Sequence, residues 1–116
     1  DEMGHEAGDE VLKQTAARIM ACLRESDSIA RFGGDEFLVL LPMSTSRDAV
    51  AGVAAKIIDS IGHAFKVNGG EARLGCSVGI AMFPEHGKQP EELISEADAA
   101  MYAAKKAGKN RCQFAH

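Results

Sequence analysis

A chain of 116 residues, 46% hydrophobic and 26% charged, can bury one modest core, which excludes a multidomain machine. Its 13 lysines and arginines against 17 acids give a formal net charge of -4, which disfavours contact with a nucleic-acid polymer or an anionic membrane surface. No stretch approaches the roughly 20 apolar residues that span a bilayer, and Cys22, Cys76 and Cys112 form no CxxC pair, so buried free thiols in a cytoplasmic, reducing setting are expected.

Leu12, Ala16, Ile19 and Leu23 recur at helical spacing, which predicts a helix starting after Gly8-Asp9, with Asp9 placed to cap it. Ser28 to Arg31 and Phe37 to Leu41 read as two strands around a Gly33-Gly34 reversal, closed by Pro42. Thr45 or Ser46 can cap a second helix with Val50, Val53, Ile57 and Ile61 on its buried side, ended near Gly62. Phe65 to Val67, the turn Asn68-Gly69-Gly70 and Glu71 to Ile80 read as a strand, a tight turn and a longer strand. In the longer strand Val78 and Ile80 face one way, Ser77 and Gly79 the other. Pro90 suits the first position of a third helix, with Glu91 and Glu92 in its first turn and Leu93, Ala97, Met101 and Ala104 on its buried face. A short strand around Cys112 to Phe114 ends this alternation of helix and strand, an α/β layer pattern.

The chemistry concentrates at Arg31-Phe-Gly-Gly-Asp-Glu-Phe37, where two adjacent acids follow a glycine turn. Asp35 and Glu36 are hard oxygen donors of the kind that hold Mg²⁺ with substrate phosphates, the alternative being a solvated hairpin tip. Asp9 can accept the paired donors of a guanine edge or simply cap its helix. Lys105 and Lys109, four apart, share a helix face if the helix persists through Gly108; they can meet phosphates or lie solvated at the helix end. Arg24, Asp27 and Arg31 can gather two guanidinium forks and a carboxylate on one surface, or form an ordinary surface ion pair. Gly4-His5-Glu6-Ala7-Gly8 lacks phosphate-loop spacing, and His5 is not expected to bind metal.

Four stretches together resemble the GGDEF domains, the diguanylate cyclases: Arg31 to Phe37; Asp1-Glu-Met-Gly-His-Glu-Ala-Gly-Asp9; Ser77-Val-Gly-Ile-Ala81; and Ala97-Asp-Ala-Ala-Met-Tyr-Ala-Ala-Lys-Lys-Ala-Gly-Lys-Asn110. The resemblance spans nearly the whole chain as a single domain, 1-116. It implies an α+β two-layer fold with a nucleotide-cyclase-like βαββαβ core, a mostly antiparallel central sheet and an extra hairpin. It also implies condensation of two GTP into cyclic di-GMP and two pyrophosphates across a homodimer, with Mg²⁺ or Mn²⁺. By position Asp35 would bind the metal and help the 3′-hydroxyl lose its proton, with Glu36 supporting the charged site. Asp9 would read guanine, and Gly33, Gly34, Lys105 and Lys109 would meet the substrate. Arg24, Asp27 and Arg31, with Lys56 as a further partner, would hold inhibitory cyclic di-GMP.

The family's first strand, with its metal-binding aspartate, and the helix before it have no counterpart here, so the chain is expected to begin within the domain and to turn over weakly by itself. The parent would be the competent cyclase, in the cytoplasm or anchored elsewhere in its length. A module that binds GTP or cyclic di-GMP without making it is the alternative.

Overall fold

The computed structural model describes residues 2–32, 36–44 and 46–116. In chain order the elements are α1 (Glu2–Ala21), β1 (Ser28–Arg31), β2 (Phe37–Leu40), α2 (Arg47–Ile61), β3 (Phe65–Val67), β4 (Gly70–Ala72), β5 (Ser77–Ile80), α3 (Pro90–Lys106) and β6 (Arg111–Phe114). This is an α+β fold with a βαββαβ-like core. Strands β1 and β2 pair antiparallel, as do β3 and β4, whereas β5 and β6 run parallel because α3 carries the chain back between them.

The helices form where periodicity places them, but their ends differ in two places. Helix α1 starts at Glu2 and runs straight through Gly8 and Asp9, so Asp9 is an exposed residue of the helix rather than its cap. An interior glycine costs about 1 kcal/mol relative to alanine. That is too little to end a helix whose later turns bury Ile19 and pack Val11 against the core. Helix α3 stops at Lys106, and Gly108, Lys109 and Asn110 all take positive φ (127°, 63° and 51°). Lys109 has therefore left the helix, and it does not share a helical face with Lys105.

Capping follows the sequence more closely. The Ser46 hydroxyl accepts the Ala49 amide at 3.0 Å, opening α2. At α3 the Gln89 amide donates to the Glu92 carboxylate at 3.2 Å, directly ahead of Pro90.

Helix α2 serves two apolar clusters. Its second half gives Ile57 and Ile61 to a cluster with Ile19 of α1 and Phe65 of β3, against which Ile29, Phe37 and Val39 of the first hairpin pack. Its first half gives Val50 and Ala54 to a cluster with Ile80 and Met82, joined by Val78, Cys112 and Phe114. Burying an aliphatic side chain is worth about 1.5–3 kcal/mol, so this stripe fixes the helix more firmly than its propensities do.

The longer strand expected over 71–80 is divided. Residues 73–76 leave the ladder: the β3–β4 hairpin stands apart, with Gly69 at φ 85° in its turn, and the Cys76 amide is met by the Asn110 side chain at 3.0 Å. Strand β5 keeps the alternation foreseen for it. Val78 and Ile80 face α2, while Gly79 lies against the backbone of α3 at Ala97 and Met101. Both faces of β5 are thus covered, one by α2 and the other by α3.

All three cysteines are free and half-buried, and burial pushes the Cys76 thiol up from its ordinary value. Among the described residues no helix is long and apolar enough to cross a membrane.

Candidate functional site

The first hairpin is held in register by four residue pairs, from Ser28 opposite Leu40 to Arg31 opposite Phe37. One further bond, from the Phe32 amide to the Glu36 carbonyl at 2.8 Å, continues the ladder past the strand ends. Gly33, Gly34 and Asp35 lie outside the described residues. Glu36, directly beside them, is half-buried, and its neighbour Phe37 packs onto the first core cluster while Phe32 remains 54% exposed. Of the two phenylalanines flanking residues 33–35, Phe37 packs on the body of the domain and Phe32 does not.

Between α1 and this hairpin lies an open cleft of about 400 Å³ lined by Asp9, Leu12, Lys13, Ala16, Ile29, Ala30, Arg31 and Phe37. Its arrangement follows from helix and strand geometry. Asp9, Leu12, Lys13 and Ala16 recur at spacings of three and four, so one face of α1 presents an acid and a base above two apolar residues. Ile29 and Phe37 supply the apolar far wall, and Arg31 lines the cleft from the same hairpin. A carboxylate over an apolar bed can accept two adjacent N–H donors of a planar ring, and the neighbouring cations can meet ring oxygens or phosphate.

A second hollow of similar size, about 420 Å³, opens at the other end of α1 and is lined by Met20, Leu23, Arg24, Glu25, Asp27, Ser28 and Ile29. Here Asp27 is held by its own turn: Oδ2 accepts the Arg24 amide at 2.8 Å, and the Asp27 amide donates to the Arg24 carbonyl at 3.0 Å. Its Oδ1 is buried without a hydrogen-bond partner among the described residues. A buried carboxylate oxygen left in that condition costs free energy that a donor on a ligand recovers.

The structure thus divides the expected trio. Arg24 and Asp27 line one hollow, whereas Arg31 lines the other with Asp9 and is engaged within the chain. Among the described residues, only Ile29 borders both. Lys56 stands exposed on α2, outside the lining of either hollow, and Lys105 and Lys109 are exposed at the end of α3 and beyond it.

Two residues of this region were not singled out in sequence. Lys13 shares the cleft with Asp9, and the signal for it was the four-residue spacing on one helix face. Asn110 ties the segment after α3 to the entry of β5; its left-handed φ of 51°, which asparagine tolerates, has no signature in spacing. Among the described residues no cluster of three or more His, Cys, Asp or Glu side chains is assembled for a metal.

A helix and an antiparallel hairpin framing a cleft, on a βαββαβ-like core, define a nucleotide-cyclase-like α+β domain. Residues 1–111 match the family model described as "Diguanylate cyclase, GGDEF domain", and the chain belongs to that family. It is 43% identical over 110 residues to the bifunctional diguanylate cyclase/cyclic di-GMP phosphodiesterase MucR of Pseudomonas aeruginosa, covering 95% of this chain and 16% of that protein. It is 41% identical to the cyclic di-GMP phosphodiesterase PdeR of Escherichia coli, covering 98% of this chain and 17% of that protein. With the diguanylate cyclase TpbB of Pseudomonas aeruginosa the figures are 43%, 99% and 27%, so the chain spans about a quarter or less of the length of these relatives. A solved structure of the isolated GGDEF domain of TpbB superposes with a TM-score of 0.94 at 41% identity, over 100% of this chain and 68% of that one.

Proposed function

We propose that the chain is the cyclase domain of a diguanylate cyclase that works in the cytoplasm. It joins two GTP into cyclic di-GMP with release of two pyrophosphates, one GTP being brought by each subunit of a homodimer. The observation that carries this reading is the Asp9 cleft opening against the first hairpin, whose Arg31 to Phe37 sequence has both acids intact. In this reading Asp9 takes the guanine donors, Gly33 and Gly34 let the backbone approach the nucleotide, and Lys105 and Lys109 meet its phosphates. A lysine at 109 gives a point charge rather than a planar fork.

Magnesium is usually held by one or two carboxylates together with substrate phosphates, so Asp35 with Glu36 beside it has the donor chemistry for it, and Mn²⁺ accepts the same donors. When bound, the ion supplies neutralisation of triphosphate charge. Asp35 assists removal of the 3′-hydroxyl proton, and the cleft holds the base so that the ribose reaches the partner's α-phosphate. Catalysis in this scheme is positioning plus charge neutralisation.

Arg24 and Asp27 form the inhibitory site for cyclic di-GMP, with Arg31 reached along β1 and Lys56 from α2 or a second subunit. The buried Oδ1 of Asp27 supports this, since a purine N–H is the kind of donor it lacks. Asp27→Ala is expected to raise the cyclic di-GMP concentration for half-inhibition at least about tenfold while initial rates without product stay near wild type, because hydrogen bonds to charged groups are worth about 1.5–3 kcal/mol. Unchanged inhibition in progress curves would remove Asp27 from that role.

A second reading is favoured by the naming of two relatives as cyclic di-GMP phosphodiesterases, PdeR and, at 35% identity, NbdA of Pseudomonas aeruginosa. Under it the domain binds GTP or cyclic di-GMP and makes nothing. Mass spectrometry of the products formed from Mg²⁺-GTP by the protein expressed from its full reading frame separates the two. Cyclic di-GMP is the expected product, and its absence under dimerising conditions would favour the sensor.

A further inference from the structure

We infer that Lys13 determines purine specificity, its ammonium donating to the O6 of the guanine whose N–H groups Asp9 accepts; this rests on the nucleotide reading of the cleft. Along the edge of guanine the N2 amino group, the N1–H and the O6 oxygen stand in succession, two donors and then an acceptor. A carboxylate satisfies the two donors only, and it would repel O6 if nothing intervened. The edge therefore calls for a cationic donor immediately beside the acid.

Helix α1 provides it. Asp9 and Lys13 are one turn apart on the same face and both line the cleft, and side chains at that spacing are neighbours, with Cβ atoms about 5–6 Å apart. Leu12, Ala16, Ile29 and Phe37 make the floor and far wall apolar, which gives the ring a bed and lowers the local polarity in which the two polar heads act. Arg31, the other cation of the cleft, sits on β1 across from the helix and is already engaged within the chain.

Adenine tests the assignment. It carries an amino group where guanine carries O6, so Lys13 would face a donor and Asp9 would face an unprotonated N1. The pair thus selects guanine at both ends of the edge, and hypoxanthine, which keeps O6 and N1–H but lacks the N2 amine, should lose contact at Asp9 alone. A cation reading O6 or N7 of guanine discriminates by about tenfold or more.

The experiment is calorimetric binding of Mg²⁺-GTP, Mg²⁺-ITP and Mg²⁺-ATP to the protein from its full reading frame, in wild type, Lys13→Met and Lys13→Arg forms. Methionine keeps the apolar stem and the helix propensity, and circular dichroism checks that the fold is unchanged. Lys13→Met is expected to weaken GTP and ITP about tenfold each and to leave ATP binding unchanged or tighter, with Lys13→Arg restoring most of the loss. Equal loss for all three nucleotides would place Lys13 on the phosphates and overturn the inference, as would no loss for any. A wild-type protein that does not prefer GTP to ATP would instead overturn the nucleotide reading on which the inference rests.

Discussion

Gly79→Ala is expected to lower the melting temperature by at least about 10 °C, the loss of roughly 3 kcal/mol spread over a domain of this size. A methyl group on Gly79 would fall within the van der Waals envelope of the Ala97 carbonyl oxygen and the Met101 amide nitrogen, and 2.9 Å from Met101 Cα. All three are backbone atoms of α3, so no side-chain rotation relieves the overlap. The helix must withdraw from β5, and that separates Ala100 and Ala104, the buried alanines of α3, from their neighbours. Small gaps of this kind already forfeit a quarter to a half of each contact. Two terms oppose the loss, since alanine restricts the unfolded chain and suits a strand better than glycine, but together they amount to about 1 kcal/mol. The clash outweighs them. Gly52 on α2 supplies the contrast: a Cβ there meets nothing within 4 Å, so Gly52→Ala should raise stability by about 0.5–1 kcal/mol. Differential scanning calorimetry of both variants reads the difference directly, and a Gly79→Ala melting point within a degree or two of wild type would refute the packing account.

The same strand shows what was legible beforehand and what was not. Period-two alternation placed Val78 and Ile80 on one face and Gly79 on the other, and period 3.6 placed Val50, Ile57 and Ile61 on the buried side of α2. Those patterns are local and survive folding because each buries an apolar stripe. Endings were less secure. Gly8 and Gly108 look alike as breakers, yet α1 passes through one and α3 stops before the other, because only the second lies in a run of three positive-φ residues that turns the chain into β6. The division of residues 71–80 was hidden for a related reason: the partner that takes the Cys76 amide is a side chain 34 positions away. At the site, motif order marked Asp9, Arg24, Asp27 and Arg31, but which of them share a hollow depends on how the hairpin leans on α1. Sequence spacing grouped Arg31 with Arg24 and Asp27, while in the fold Arg31 lines the cleft that holds Asp9. That grouping matters for function, because among the described residues the proposed substrate cleft and the proposed inhibitory hollow then meet at a single shared residue, Ile29.

Arg18→Ala is expected to destabilise the protein by about 2–4 kcal/mol, from three lost charge-assisted bonds to half-buried and exposed carbonyls together with the lost stacking on Phe65. By spacing alone Arg18 is a charged residue next to Ile19 in a helix, with nothing to distinguish it. In the fold its guanidinium reaches from α1 to the end of α2: Nη1 donates to the carbonyls of Ser60 at 2.8 Å and His63 at 2.6 Å, and Nη2 to Ala64 at 2.6 Å. The negative end of the helix dipole favours a cation there, and one planar fork reaches the Ser60 carbonyl, which also accepts the His63 amide at 3.3 Å, and the His63 and Ala64 carbonyls just past the helix end. The same guanidinium stacks 3.7 Å from the centroid of Phe65, whose side chain is fully buried. Removing it exposes the carbonyls and one face of the core phenyl ring together. Lysine keeps the charge but has neither the fork nor the flat surface, so Arg18→Lys should recover less than half of the loss. Urea unfolding followed by circular dichroism separates these outcomes, with the midpoint falling in the order wild type, lysine, alanine. Because Arg18 clamps α1 to the end of α2, and α1 carries Asp9 and Lys13 of the cleft, the alanine variant should also weaken the proposed GTP binding at temperatures where the protein is still folded. Lysine equal to arginine in both assays would mean that charge alone, and not the three-carbonyl clamp, holds the two helices together.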